Sequence, residues 1–532
     1  MKIPTTTISQ RGMVACPHYL ASQVGVEILS QGGNAVDAAI ATQAALGVVY
    51  PHMTGVGGDA FWLIYDAQTH TLQGLNGSGR AAMQATPAFY KEQGLATIPQ
   101  RGPLAALTVP GAVDSWQTAH QKFGQMTWSE LLQPAIALAS EGYPVSGSQS
   151  YWTRQDLSYF QQYSPDPCPF VPQGQAPQTT SVLTNTDLAN TLKILASKGA
   201  ETFYCGEIAA RISQYLATVG GVLTQQDFAQ HRSEWVTPLY TNYRGYRVAE
   251  LPPNSQGFTV LQMLNFIEPF DLAAIGHGTA DYYHLMIEAT KLAFADRDRW
   301  LTDPDFVDIP ISELISKPYS DRRRTNFHWD TASSYPAGSI GGDTVYTAVV
   351  DEVGNAVSVI QSLYFDFGSA VVVPGTGFAL QNRGAFFALD AHHMNVLAPG
   401  KRTFHTLMPG MVLQSDGCPH LVFGTMGGEG QPQTQLALLT RILDFDFAPQ
   451  DAINLPRWLW GRTWGQAQSG LTLEGRIPTS VARALAERGH PVKVAPDWTE
   501  KMGHAHMIQL CSATDVYQGG YDPRSDGAAM GL

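Results

Sequence analysis

The chain has 532 residues, 44% hydrophobic and 14% charged, so it can bury a large core and is not a disordered protein. Its formal net charge of −13 leaves no basic field to meet phosphates, which argues against a nucleic-acid-binding role. Five cysteines (Cys16, Cys168, Cys205, Cys418, Cys511) form no C-x-x-C pair, so neither a disulfide framework nor a cysteine zinc site is expected.

In chain order, the first residues (MKIPTTTISQRGMVAC) carry one lysine ahead of no apolar run and do not read as a secretory signal. No stretch approaches ~18 apolar residues, so no transmembrane helix is predicted and a cytoplasmic enzyme is expected. Residues 22–49 read as helix, break and helix. Gly32-Gly33 end the first, and Asn34 caps AVDAAIATQAALGVV, which is apolar nearly all round and therefore predicted to lie between layers. Residues 61–65 read as a strand, 160–180 (FQQYSPDPCPFVPQGQAPQTT) as a surface loop and 282–295 (YYHLMIEATKLAFA) as a helix. Residues 322–342 have the composition of a linker. Helices are expected to dominate before it and strands after it.

Beyond the linker, TVYTAVV (344–350) and AVSVIQS (356–362) flank DEVGN, a hairpin signature. If Val350 pairs with Ala356, Thr344 faces Ser362, close enough for two hydroxyls to hydrogen-bond; a slip of one residue destroys the pairing. Such a pair alone is a common structural feature. A second element follows: the strand LVFG (421–424), then TMGGEG (425–430), then a helix over 433–442. A glycine turn between strand and helix leaves backbone N–H groups free to receive an oxyanion. The histidines His504 and His506 (HAH) suggest a metal only weakly, and no H-E-x-x-H, G-x-S-x-G or P-loop motif is present. Asp296, Asp303 and Asp305 read as helix caps and loop-shaping acids.

With GMVAC (12–16), GGNAVDAA (32–39), TGVGGDAFWLIYD (54–66), TVPGAVDSW (108–116), ELLQPAIALASEGYPV (130–145), GGVLTQQDF (220–228), YRGYRVAELPPNSQG (243–257), EATKLAFADR (288–297) and DPRSDG (522–527), these elements form an ordered set of blocks. In that order the chain resembles the γ-glutamyltransferase family of N-terminal-nucleophile hydrolases. The resemblance implies a four-layer αββα sandwich made as a proenzyme. Its bond Asp343–Thr344 is cut by its own threonine, giving a large subunit of residues 1–343 and a small one of residues 344–532. The pair is an αβ heterodimer that can itself dimerise, with no metal and no cofactor. Thr344 then carries both the nucleophilic hydroxyl and, as its base, an α-amine whose ordinary pKa is about 7.7–8.0. Ser362 matches the position that steadies the nucleophile, and Gly427 and Gly428 match the oxyanion hole.

The chain departs from the γ-glutamyl enzymes where they hold the glutamate head. LNGSGRAA has Ser78 at the arginine position, with Arg80 two residues on. Tyr364 stands for an asparagine, Arg383 for a Gln/Glu, Phe386 for an aspartate, and His405-Thr406 for a serine pair. Acceptors for an ammonium are lost and cations for a carboxylate remain, while Tyr364 and Phe386 narrow the site. The departures resemble a branch that takes in cephalosporin-acylase-like proteins and oxamate amidohydrolase. The expected substrate is a small carboxylate-bearing amide, first of all oxamate, cleaved to oxalate and ammonia. The alternatives are a γ-glutamyl hydrolase or transferase, a glutaryl (cephalosporin-type) acylase, or an uncleaved binding protein on the same fold.

Overall fold

The computed structural model describes residues 3–334, 343–461, 470–511 and 516–532, with Asp343 described by its backbone alone. Two seven-stranded sheets organise it. The first runs Ala528–Gly531, Gly12–Cys16, Asp343–Asp351, Ala356–Tyr364, Asp59–Asp66, Thr71–Gly77, Glu234–Val236. The second runs Thr7–Ser9, Val516–Gly520, Ala505–Cys511, Pro419–Thr425, Gly410–Leu413, Tyr246–Glu250, Leu239–Tyr243.

The layering follows from the two-residue period of a strand, which sends successive side chains to opposite faces. Tyr346, Ala348 and Val350 point into a core shared with Met411, Val422 and Ile508 of the second sheet. Their neighbours Val345 and Val349 point the other way, into a core shared with the helix Ala35–Val49. The second sheet does the same: Val412, Leu421 and Phe423 pack under the helices Phe258–Ile267, Ala280–Trp300 and Gln431–Leu443. Helix, sheet, sheet and helix make the αββα sandwich.

The helix Ala35–Val49 is buried along its whole length, as its apolar circumference requires, and starts in a capping box of Asn34 and Asp37. The helices predicted over 282–295 and 433–442 are Ala280–Trp300 and Gln431–Leu443, and the strands predicted over 61–65 and 421–424 are Asp59–Asp66 and Pro419–Thr425.

Three expectations are corrected. Strands do not cluster after residue 322: the earlier residues supply four strands of the first sheet and three of the second. The segment 160–180 is not simply a surface loop, because Phe160, Cys168, Phe170 and Val171 are buried against Phe367 and Ala370. The linker begins later than composition suggests, since the helix Lys317–Arg324 runs into it; residues 335–342 lie outside those described.

Candidate active site

The hairpin 343–364 is the axis of the site. Its register matches the expectation from Val350–Ala356 back to Val345–Gln361. There it shifts: a bulge between Asp343 and Val345 sets Asp343 against Tyr364, so Thr344 sits at the bulge and is not in regular pairing with Ser362. Bulges leave one residue out of the ladder and re-aim its side chain. Thr344 is fully buried, and its Oγ1 has no hydrogen-bond partner among the described residues. The expected Thr344–Ser362 hydroxyl bond is absent.

Ser362 Oγ instead accepts from the Tyr364 N–H (2.8 Å) and from Arg383 Nη2 (3.1 Å). The other arm of the guanidinium, Nη1, donates to Thr406 Oγ1 at 3.0 Å. Arg383 thus ties together three segments that sequence analysis singled out separately. It is buried, and burial holds its pKa down to about 10 against the opposing pull of Tyr364 and Asp59. Its Nε–H has no acceptor among the described residues. Aromatic rings wall it in: the guanidinium lies 4.5 Å from the Tyr364 ring centre and 5.6 Å from that of Phe386. Tyr364 stacks on Phe365 at 4.3 Å and meets Phe386 at 4.4 Å with the rings tilted by 32°. Tyr364 takes a left-handed backbone, φ +88°, a conformation that costs a non-glycine residue about 1–3 kcal/mol and persists where the surroundings enforce it.

The glycine turn lies at the end of the strand Pro419–Thr425. Gly427 (φ +125°) and Gly428 (φ +54°) adopt conformations open to glycine, and the helix Gln431–Leu443 follows after a single turn of 3₁₀ helix. Neither backbone N–H donates to a backbone acceptor among the described residues. The turn is held from behind. Gln256 Nε2 donates to the Gly428 carbonyl (3.1 Å) and to the Thr406 carbonyl (2.8 Å). Arg297 donates to Gln256 Oε1 (3.2 Å) and pairs with Glu429 (2.8 Å), which follows Gly428. Gln256 therefore links the turn to the segment that holds Arg383.

Other expected residues lie elsewhere. Arg80 reaches out to Asp305 (2.7 Å), Glu234 (3.2 Å) and Asp303 (3.4 Å), and to the Gly400 carbonyl. Its guanidinium is paired with carboxylates, and no bond joins it to Arg383, Ser362 or Thr344 among the described residues. Asp303 and Asp305 are the loop-shaping acids foreseen. Ser78 is buried in a separate network, donating to Asn76 Oδ1 (2.7 Å) and accepting from Asn254 Nδ2 (3.2 Å). His405 Nε2 lies 3.2 Å from Asp59 Oδ2.

Asp59 was passed over in the sequence. It is a fully buried carboxylate opposite Ser362 in the neighbouring strand. Its one available signal was a charge at the head of the apolar strand DAFWLIYD.

Among the described residues, one group brings metal-ligating atoms together: His284, Glu288 and His490. It already holds a cation. Lys291 Nζ donates to Glu288 (2.8 Å) and to His490 Nδ1 (3.3 Å), while the two histidines bond each other at 2.8 Å. His504 and His506 belong to a different neighbourhood, beside the buried ion cluster in which Arg457 and Arg524 pair with Asp522 (2.6 and 3.0 Å) and Arg524 with Glu474 (2.7 Å). No described helix is long and apolar enough to cross a membrane.

An αββα sandwich with a hydroxyl residue at the mouth of a central hairpin defines an N-terminal-nucleophile hydrolase fold. Residues 21–532 match the gamma-glutamyltranspeptidase family, and the chain belongs to it. It is 47% identical to a glutathione hydrolase-like proenzyme (YwrD) of Bacillus subtilis, over 99% of each chain. It is 41% identical to the oxamate amidohydrolase proenzyme of Klebsiella pneumoniae, again over 99% of each. Among solved structures it is similar to a cephalosporin acylase from Bacillus halodurans, with a TM-score of 0.93 and 39% identity, covering 100% of this chain and 98% of that one.

Proposed function

We propose that the chain is a self-processing amidohydrolase acting on small amides that carry a carboxylate, with oxamate as the first candidate. The bond Asp343–Thr344 is cut, separating residues 1–343 from 344–532. The freed amine of Thr344 takes the proton of its own hydroxyl, and Oγ1 attacks the amide carbonyl. The oxyanion that forms is received by the N–H groups of Gly427 and Gly428. The C–N bond breaks, the proton passes from the Thr344 amine to the leaving ammonia, and water resolves the acyl ester. Ser362 orients the nucleophile's surroundings, and Arg383, Tyr364, Phe386 and Thr406 shape the acyl pocket.

The observation that carries this reading is Arg383: a buried guanidinium bonded to Ser362, with an unused Nε–H and aromatic walls. A guanidinium fork suits a carboxylate, and the aromatic walls favour a short acyl group over a long one. The 41% relative's name, oxamate amidohydrolase, agrees with it. The 47% relative's name, glutathione hydrolase-like, favours γ-glutamyl hydrolysis as the second reading. The test compares kcat/KM for ammonia release from oxamate with that for nitroanilide release from a γ-glutamyl reporter. A preference for the reporter overturns the substrate assignment. Thr344→Ala tests the nucleophile: purified wild type is expected to give two fragments, the smaller beginning TVYTAVV, and the variant one inactive chain.

A further inference from the structure

Asp59 is a heavily bonded, buried acid opposite Ser362 and has no role in the chemistry above. Four N–H groups converge on it. Oδ1 accepts from the backbone of Gly79 (3.1 Å) and Gly111 (3.0 Å) and from Gln381 Nε2 (3.0 Å); Oδ2 faces His405 Nε2 at 3.2 Å. Donors in that number suit a carboxylate and do not suit a carboxylic acid. His405 Nδ1 meets the Leu407 N–H at 3.4 Å, so the ring is neutral and carries its proton on Nε2, toward Asp59. Burial, with Arg383 adding to it, keeps His405 well below the ordinary histidine range.

This pair is built around the Arg383 fork. Asp59 stands opposite Ser362, which takes one guanidinium arm, and His405 precedes Thr406, which takes the other. Asp59 and Arg383 attract each other across the site. A fixed negative charge stands behind the cation that, on the reading above, must receive a carboxylate. The incoming anion and Asp59 repel each other, and the repulsion is relieved if the pair gains a proton.

We propose that the Asp59–His405 pair is a positioning pair that holds the Arg383 fork and takes up a proton when a carboxylate binds there, so that it sets the affinity of the site for anions. The balance is one proton from solvent onto the pair per anion bound. The added proton leaves the ring neutral: Asp59 holds one proton toward His405 Nε2 and the ring carries its own on Nδ1, so the bond given up is the weak one from the Leu407 N–H. The titratable groups facing the pair are Arg383 from the 381–386 segment and Tyr204, whose hydroxyl burial and Asp114 hold protonated. In the cleaved enzyme the Thr344 amine joins them. Burial raises Asp59 to about 6, which puts the proton exchange within an accessible pH range.

The inference rests on the proposed carboxylate substrate, and the experiment separates the two. Oxalate is titrated calorimetrically into the cleaved enzyme at pH 6.5 in buffers of different protonation enthalpy, alongside KM for oxamate from pH 5.5 to 7.5. Both ligands stay ionised throughout. Wild type is expected to take up about half a proton, and KM to rise about sixfold across the range, as one pKa unit of coupling starting from about 6 gives. Asp59→Asn is expected to take up almost none and to lose the KM step. Uptake that persists in Asp59→Asn belongs to the Thr344 amine and overturns the proposal. If that variant does not fold, wild type alone decides: no uptake, or a KM step centred near 8 and not near 6, overturns it. Binding with no pH dependence overturns this inference and leaves the substrate reading standing; no binding at any pH overturns both.

Discussion

Replacing Arg383 by methionine removes the charge while keeping most of the side-chain volume. The fork donates to Ser362 and Thr406, and each of those bonds is worth about 1 kcal/mol net. Its place against Tyr364, 4.5 Å from the ring centre, is worth about 2 kcal/mol when desolvated. Against these losses stands the relief of burying a cation, for which exchange of a buried charge by an apolar group is often neutral in stability. The variant is therefore expected to fold, with Tm within a few degrees of wild type. Function is expected to respond far more. Removing one partner of a buried ion pair costs roughly 3–5 kcal/mol, so kcat/KM for oxamate should fall about 10²–10⁴-fold. The assay compares oxamate with oxamide, which differs only in carrying a second amide where oxamate has its carboxylate. Loss of Ser362 positioning lowers both; loss of carboxylate binding lowers oxamate alone. An equal fall for both substrates would refute the assignment of Arg383 to the substrate.

Gly428→Pro removes one N–H of the turn and forces φ away from +54°; it is expected to lower kcat at least about 10²–10³-fold, measured on folded protein by circular dichroism and turnover. Arg80→Ala, because that guanidinium is paired with Asp303, Asp305 and Glu234, is expected to leave kcat/KM for oxamate within about threefold. A larger fall would return Arg80 to the pocket. Asp522, although buried, is held below the ordinary carboxylate range by Arg457 and Arg524. A depressed folded pKa contributes stability above the unfolded value of about 3.9, and that stability is lost as pH falls below it. Urea midpoints for wild type should therefore drop between pH 5 and pH 3, and Asp522→Asn should flatten part of that drop while lowering the midpoint at pH 7.

The fold was legible where a residue pattern acts locally. The all-apolar helix Ala35–Val49 announced its burial, and the hairpin register was readable from Val345 to Val350 because one face of each strand enters each core. The bulge at Thr344 was not legible: it depends on how the strand leaves the sheet, which no two-residue alternation encodes. The candidate site was legible only in part. Ser362, Arg383 and Thr406 were each noted, yet nothing in their spacing says that one guanidinium joins them. Arg80 shows the reverse. Its place in the sequence suggested the pocket, but its partners, Asp303 and Asp305, lie more than 200 residues away. Asp59 escaped notice because its four donors come from four different segments.

The order of strands in the two sheets bears on what the proposed cut would leave behind. In the first sheet the hairpin 343–364 lies between Gly12–Cys16 and Asp59–Asp66, with Ala528–Gly531 on the far side of Gly12–Cys16. In the second, Gly410–Leu413 joins Tyr246–Glu250, and Val516–Gly520 joins Thr7–Ser9. Residues before and after position 343 are thus interleaved at five ladders. Two such fragments could not part and trade partners with another molecule as ordinary subunits do, since every exchange would mean unzipping both sheets. Mixing a cleaved enzyme with an isotopically labelled copy should yield no hybrid pairs until the protein unfolds. Dilution should not weaken it either, because no dissociation step short of unfolding exists to be favoured.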